Sequence, residues 1–227
     1  MKLQKVTDRS ETATRRWYDD ACGTALGMEL VGERWSLLVV RELLLGPRRF
    51  GELRQGLSGI SANVLTQRLE GLAEAGIVER LRLPPPANVK VYALTPWGRE
   101  CEPIVLSLGR WALRSPHHDA TLSFTPSALM LSLKMLIVPE RIGDLSATVG
   151  FRLEGEDYFA HVRDGTIAVA RGSAIAQASF EGAPGAFLPV FYGAAPMGQA
   201  AFTVTGDRAV AERFAGLFAL PPKAGAA

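Results

Sequence analysis

Between Arg48 and Lys90 the chain gathers side chains suited to reading a nucleic acid. Asn63, Gln67 and Glu70 recur at helical spacing, with Arg68 at the edge of the same face. An Asn or Gln carboxamide offers a donor and an acceptor together and can grip an adenine edge, while an Arg can reach guanine or a phosphate. Arg48 and Arg49 lead into the short helix before this one, and Arg80, Arg82, Asn88 and Lys90 follow it, so cations flank the reading face on both sides. Residues 48 to 90 hold seven Lys and Arg against four Asp and Glu, a net of +3. Ser61 stands where an N-cap is required, its hydroxyl available to the first free amides of the helix. The competing reading of the same residues is a set of solvated helix faces, because Arg and Gln are good exposed helix formers.

Other chemistry is sparse. The sequence has no Gly-rich phosphate loop, no Gly-x-Ser-x-Gly elbow and no His-Glu-x-x-His, so neither an enzyme nor a cofactor is expected. His117, His118 and Asp119 adjoin one another, and neighbouring side chains rarely converge on one ion, so a metal is not expected either. His161 stands alone in a strand and reads as a satisfied sheet residue. Cys22 and Cys101 are too few for a disulfide framework; the default for each is a buried thiol.

The elements that must position these groups follow from periodicity. Leu26, Leu30 and Val31, and then Trp35, Leu38, Val39 and Leu43, mark two helices that stop at Gly46-Pro47. Phe50 and Leu53 mark a third. From Ser61 to Ala75 the residues Leu65, Leu69, Leu72 and Ala73 form one apolar stripe closed by Gly76, the clearest amphipathic helix in the chain. Ile77 to Leu83 and Val89 to Leu94 read as a hairpin with a proline tip, and Thr95-Pro96 opens a helix running toward Arg114. Helices, a stronger helix, then a pointed hairpin is the order of a winged helix-turn-helix, which sends one helix into the major groove while the wing follows the backbone.

Beyond residues 115–119, the expected linker, the pattern changes. A helix near Pro126 to Leu136 precedes strands at Ala147 to Leu153, Asp157 to Val162, Thr166 to Ala170 and Gln177 to Phe180, with Asp164-Gly165 a strong hairpin signal. An apolar helix over Pro184 to Tyr192, a strand at Ala200 to Thr205 and a helix from Asp207 to Phe218 complete it. The 227 residues, 48% hydrophobic and 21% charged, suit two modest globular domains. The net charge of +2 conceals a division: residues 1–118 hold 17 Lys and Arg against 13 Asp and Glu, residues 119–227 hold 8 against 10. The N-terminus lacks an apolar signal core and no apolar run approaches the roughly 20 residues of a membrane span, so a cytoplasmic protein without a membrane partner is expected.

These residues also carry a resemblance. Cys22, the Gly32-Glu-Arg-Trp turn, the Gly46-Pro-Arg-Arg-Phe breaker, the Ile60-Ser helix start, Glu74-Ala-Gly-Ile-Val, Tyr92-Ala-Leu-Thr-Pro-Trp-Gly and Trp111 occur in an order that resembles the HxlR-type winged-helix transcription regulators, over about residues 21–114. That resemblance implies a homodimer formed through the outer helices around Trp97, Leu108 and Trp111, double-stranded DNA as partner, and a redox- or electrophile-responsive thiol at Cys22. A core role for the two tryptophans is the alternative. Tyr158-Phe-Ala-His-Val-Arg-Asp-Gly, Ala178-Ser-Phe-Glu-Gly and Phe202-Thr-Val-Thr-Gly-Asp-Arg are similar to a sterol-carrier-protein-2-like (SCP2-like) domain. This second resemblance implies a curved sheet covered by helices around an apolar cavity for a small hydrophobic ligand, with Met130, Leu133, Phe187, Leu188, Phe191 and Tyr192 beside it; a filled core is the alternative.

The expected architecture is thus α+β: a polar arm over 1–20, a winged helix-turn-helix over 21–114, a linker over 115–119 and an SCP2-like ligand-binding domain over 120–222. The expected function is a homodimeric transcription regulator on a two-fold operator, modulated by a hydrophobic ligand. A carrier of hydrophobic molecules whose helical half serves only dimerisation is the competing function.

Overall fold

A computed structural model describes residues 18–225; most of the expected N-terminal arm, with Arg15 and Arg16, lies outside the described residues. The first half runs α1 (Gly23–Val31), α2 (Ser36–Leu43), α3 (Phe50–Gly56), α4 (Ala62–Glu74), β1 (Val78–Arg82), β2 (Lys90–Leu94), α5 (Pro96–Arg99) and α6 (Glu102–Ala112). Leu65, Leu69 and Leu72 of α4 are buried against Val39, Val40 and Leu43 of α2, Leu53 of α3, and Ile77, Val78 and Leu94 at the hairpin base. Burying each such aliphatic side chain contributes roughly 1.5 to 3 kcal/mol, which outweighs the weak intrinsic preference of a short helix and fixes the face that α4 turns outward.

The base of the hairpin shows why the Thr95-Pro-Trp-Gly segment has its composition. The Thr95 hydroxyl accepts from the Gly98 amide at 2.9 Å and donates to the Gly76 carbonyl at 2.7 Å, tying α5 to the end of α4. A Cβ on Gly98 would lie 2.1 Å from the Ile77 carbonyl oxygen, so only glycine permits this approach. The helix expected from Thr95 to Arg114 is interrupted at Glu100–Cys101, because Pro103 has no amide with which to continue the ladder and instead sits in the first turn of α6.

The second half comprises α7 (Pro126–Leu136), α8 (Pro139–Ile142), β3 (Ala147–Leu153), β4 (Glu156–Arg163), β5 (Thr166–Arg171), β6 (Ala178–Glu181), α9 (Leu188–Phe191), β7 (Thr203–Gly206) and α10 (Arg208–Ala215). The strands form one mixed sheet ordered β5-β4-β3-β6-β7, antiparallel except for the β3–β6 pair. Asp164-Gly165 closes β4–β5 with positive φ at both residues, and Glu154-Gly155 does the same for β3–β4, a turn the sequence reading did not single out. The apolar segment 184–192 is a 3-10 turn, Pro184–Phe187, followed by the single-turn α9, because Pro184 and Pro189 cannot donate within a longer helix.

Between this sheet and its helices the expected cavity is filled. Phe151, Phe180, Phe187, Phe191, Phe214 and Phe218 are buried together, with Phe151 and Phe180 stacked at 5.3 Å and Phe191 and Phe218 at 5.6 Å. Met130, Leu133, Phe187 and Phe191, expected beside a ligand, are parts of this packed core. Leu188 and Tyr192, by contrast, face a cavity on the other side, toward the first half. Among the described residues no helix is long and apolar enough to cross a membrane, and no group of acidic, Cys and His side chains could hold a metal.

Candidate nucleic-acid interface

The α4 N-terminus is set by Ser61, whose Oγ accepts from the Val64 amide at 3.3 Å, as the N-cap expected there. Asn63, Gln67 and Glu70 are exposed on the face opposite the leucine stripe. Thr66 lies on that face too, its hydroxyl donating to the Ala62 carbonyl at 3.0 Å, and its spacing of three from Asn63 was the signal by which it could have been found. Arg68 is less free than its sequence position suggests: its Nη1 lies 3.2 Å from Glu33 Oε2, on the turn between α1 and α2.

The hairpin carries a second group. Arg80 reaches back to Glu70 at 3.6 Å and lies over the Tyr92 ring at 5.8 Å, joining β1 to α4. Arg82 donates to Asn88 Oδ1 at 3.1 Å across the tip, and Asn88 adopts positive φ, a conformation its short side chain tolerates. Arg82, Asn88 and Lys90 are exposed. On the other flank Arg49 is exposed, N-caps α3 and is held only loosely to Glu52 at 3.8 Å.

Arg48 does not belong to this surface. It is 7% exposed, and its guanidinium points into the second half, pairing with Glu156 and donating to Tyr158 Oη at 2.6 Å. Its backbone meanwhile exchanges hydrogen bonds with Tyr92 at 2.9 and 2.8 Å, so one residue holds both the wing and the second half. The expectation of a phosphate contact fails because a carboxylate 108 residues away offers a nearer, less hydrated partner. Arg171 adds a bond to the Pro47 carbonyl at 2.5 Å, Thr125 Oγ1 donates to the buried Glu42 at 2.9 Å, and Lys134 pairs with Glu102. None of these contacts uses Asn63, Gln67, Arg82 or Lys90, so the reading face and wing stay open.

The seam responds to acid. Burial pushes the Glu156 carboxyl up, but hydrogen bonds from Arg48 and Tyr158 outweigh it and hold the group below its ordinary 4.5. The ionised carboxylate therefore favours the folded state fully above pH 4.5, and that contribution is lost as the pH falls through the lowered folded value. Urea midpoints measured from about pH 6 to about pH 3 are expected to fall more steeply for the natural chain than for Glu156→Gln.

Cys22 is exposed, contrary to the default of a buried thiol, and hydrogen bonds from the Thr24 amide and hydroxyl and the Ala25 amide hold its thiol below the usual range. Cys101 is half-buried, and burial together with the Glu100 charge pushes its thiol up. Trp97 on α5 and Trp111 on α6 are 48% and 72% exposed, which removes the core reading of both; Leu26 and Met28 of α1 and Ile104 and Leu108 of α6 are exposed as well. His161 is satisfied within the sheet by Thr148 at 2.7 Å, and His117, His118 and Asp119 are exposed.

Residues 30–119 match the HxlR-like helix-turn-helix family. An HTH-type transcriptional regulator of Mycobacterium tuberculosis is 39% identical over 98 residues, 43% of this chain and 60% of that protein, so the chain spans about 60% of that relative's length. Bacillus subtilis supplies two fuller matches. Its HTH-type transcriptional regulator YvaP is 35% identical over 86 residues, 37% of this chain and 79% of that protein. Its HTH-type transcriptional regulator YodB is 35% identical over 83 residues, 37% of this chain and 74% of that protein.

Proposed function

Because this chain belongs to the HxlR-like helix-turn-helix family of transcriptional regulators, we propose that it binds a two-fold operator as a homodimer, each protomer laying α4 in a major groove and its wing along the backbone. The observation that carries this is the face of α4: Asn63, Thr66 and Gln67 stand exposed on a helix clamped by three buried leucines, with Arg49 on one side and Arg82 and Lys90 on the other. Arg80 and Arg68 act from within the surface, holding the wing and the α1–α2 turn to α4.

The exposed apolar side chains of α1 and α6 support the homodimer, since clustered exposed apolar surface marks interfaces. In such a dimer the two reading helices lie roughly 34 to 36 Å apart, one turn of the duplex. We assign residues 21–114 to DNA binding and dimerisation, 115–119 to the connection and 120–222 to an SCP2-like module that receives a small apolar effector; the five-stranded mixed sheet backed by helices supports that likeness. The exposed, acid-shifted Cys22 thiol supports a second, electrophile-responsive input. The filled phenylalanine core leaves no room beneath the sheet, which weighs against a carrier with its cargo there and favours an effector received on the side of α7 that faces the first half.

Fluorescence-anisotropy titration of labelled duplexes from the chain's own upstream region tests the reading. Two chains per specific duplex are expected, and Asn63→Ala or Gln67→Ala is expected to cost about 1 to 3 kcal/mol on that duplex while leaving binding to unrelated DNA unchanged. Equal losses on both duplexes, or no DNA affinity at low salt, would refute base reading by α4.

A further inference from the structure

A large apolar cavity lies between the two halves. It measures about 910 Å³ and is walled by α2, α6, α7 and the segment just after α9, with Leu38, Leu108, Ala112, Leu131, Met135 and Tyr192 on its surface. Packed protein interiors contain few gaps larger than a water molecule, and an apolar space of this size falls within the range of small-molecule sites. The chain between α6 and α7 runs along one side of it.

The polar atoms of the wall are few and specific. Ser132 Oγ donates to the Leu129 carbonyl at 2.6 Å, so the proton in its 2.5 Å contact with Tyr192 Oη comes from the tyrosine. The tyrosine oxygen keeps lone pairs and no second proton: it can accept a hydrogen bond but cannot donate one. On the wall Arg41 pairs with Glu42 at 2.6 Å; Asp119 accepts from the Thr121 amide at 2.9 Å, and Asp119, His117 and His118 are exposed to water. The wall is predominantly apolar and Arg41 on it is engaged by Glu42, which favours an uncharged occupant over a carboxylate or a phosphate.

We propose that this cavity binds one uncharged, largely apolar molecule carrying a single hydroxyl, which donates to Tyr192 Oη while the hydrocarbon fills the space between α2, α6 and α7. The site gives a place and a chemistry to the effector of the function proposed above and rests on that reading only for its consequence on DNA. That consequence runs through α2, whose Leu38 lines the cavity while Val39, Val40 and Leu43 pack against α4. A ligand that binds more tightly to one setting of α2 shifts α4 toward that setting.

The test uses the full chain without DNA, so a failed site leaves the DNA titration standing and a failed titration leaves the site standing. The uncharged probe N-phenyl-1-naphthylamine is expected to bind at one per chain with enhanced fluorescence. Ala128→Trp on α7 and Ala112→Trp on the exposed side of α6 fill the cavity from opposite walls, and each is expected to weaken the probe at least about tenfold. Using both keeps the test valid if one fails to fold, which circular dichroism reports.

Competing the probe off with dodecan-1-ol, its methyl ether and dodecanoate reads the chemistry. The alcohol is expected to act at about tenfold lower concentration than either of the others, and Tyr192→Phe is expected to erase its advantage over the ether. The proposal is overturned if the natural chain does not bind the probe, if binding survives both tryptophan variants, or if dodecanoate competes as well as the alcohol. It is also overturned if sedimentation shows that the tryptophan variants dissociate a dimer and that the probe binds only the monomer, since the cavity is then the seat of a second copy.

Discussion

Replacing Arg49, Arg82 and Lys90 together by alanine is expected to weaken binding to any duplex by two to three orders of magnitude per bound protomer at about 0.1 M salt and to flatten its salt dependence. The three side chains are exposed, and among the described residues Arg49 pairs with Glu52 at 3.8 Å and Arg82 donates to Asn88 at 3.1 Å, exposed contacts that can be exchanged for phosphates. Each neutralised phosphate contributes about 0.9 to the slope of log affinity against log salt, so losing three removes about 2.7 per bound protomer and about 5.4 for the dimer. The same exponent at about 0.1 M salt corresponds to roughly 500-fold in affinity for each bound protomer. Anisotropy titrations across a salt series give both quantities. An unchanged slope would mean that these cations face water in the complex and that the wing does not follow the backbone.

Arg48→Ala is expected to do something different, although Arg48 stands beside Arg49 in sequence. Removing its guanidinium leaves the Glu156 carboxylate and the Tyr158 hydroxyl without their cation across the seam. Breaking a fully buried pair in this way costs about 3 to 5 kcal/mol; because Glu156 keeps 36% of its side-chain surface in water, about 2 to 3 kcal/mol is expected here. For a chain of this size that lowers the thermal midpoint by roughly 5 to 10 °C. Arg48→Lys should recover little, since an ammonium cannot reproduce the fork that reaches Glu156 and Tyr158 at once. The salt slope of DNA binding should stay as in the natural chain. A flattened slope with unchanged stability would return Arg48 to the DNA surface.

Taken together, these two variants separate neighbours that look alike in the sequence. A Pro-Arg-Arg-Phe segment signals a turn followed by a helix and gives no indication that one arginine faces outward and the other inward. Burial on the first half alone does not decide it either: the Arg48 backbone is already committed to Tyr92, and the direction of its side chain depends on a carboxylate that arrives with β4.

The local grammar of the chain was legible because its causes are local. The leucine stripe of α4, the Ser61 and Thr95 caps, the Gly76 stop and the Asp164-Gly165 turn each depend on residues within a few positions, and the elements follow from them. The departures arise where prolines divide an apolar run, at Pro103 and over Pro184 to Pro189, and there the missing amide outweighs the periodicity. The reading face was legible for the same reason: once Leu65, Leu69 and Leu72 point inward, Asn63 and Gln67 have nowhere to go but out.

What the sequence by itself determined, then, is which segments become helices and strands, which face of α4 is buried, and which family the first half resembles. Only the tertiary structure decided that Arg48 is a tether, that Trp97 and Trp111 stand in water, that six phenylalanines close the space under the sheet, and that the remaining apolar cavity opens between the halves. Those outcomes depend on which surfaces meet across a hundred or more residues. Hydrophobic periodicity records that a face is apolar, but its chemistry is the same whether the face packs on a neighbouring helix, lines a cavity or awaits a second chain.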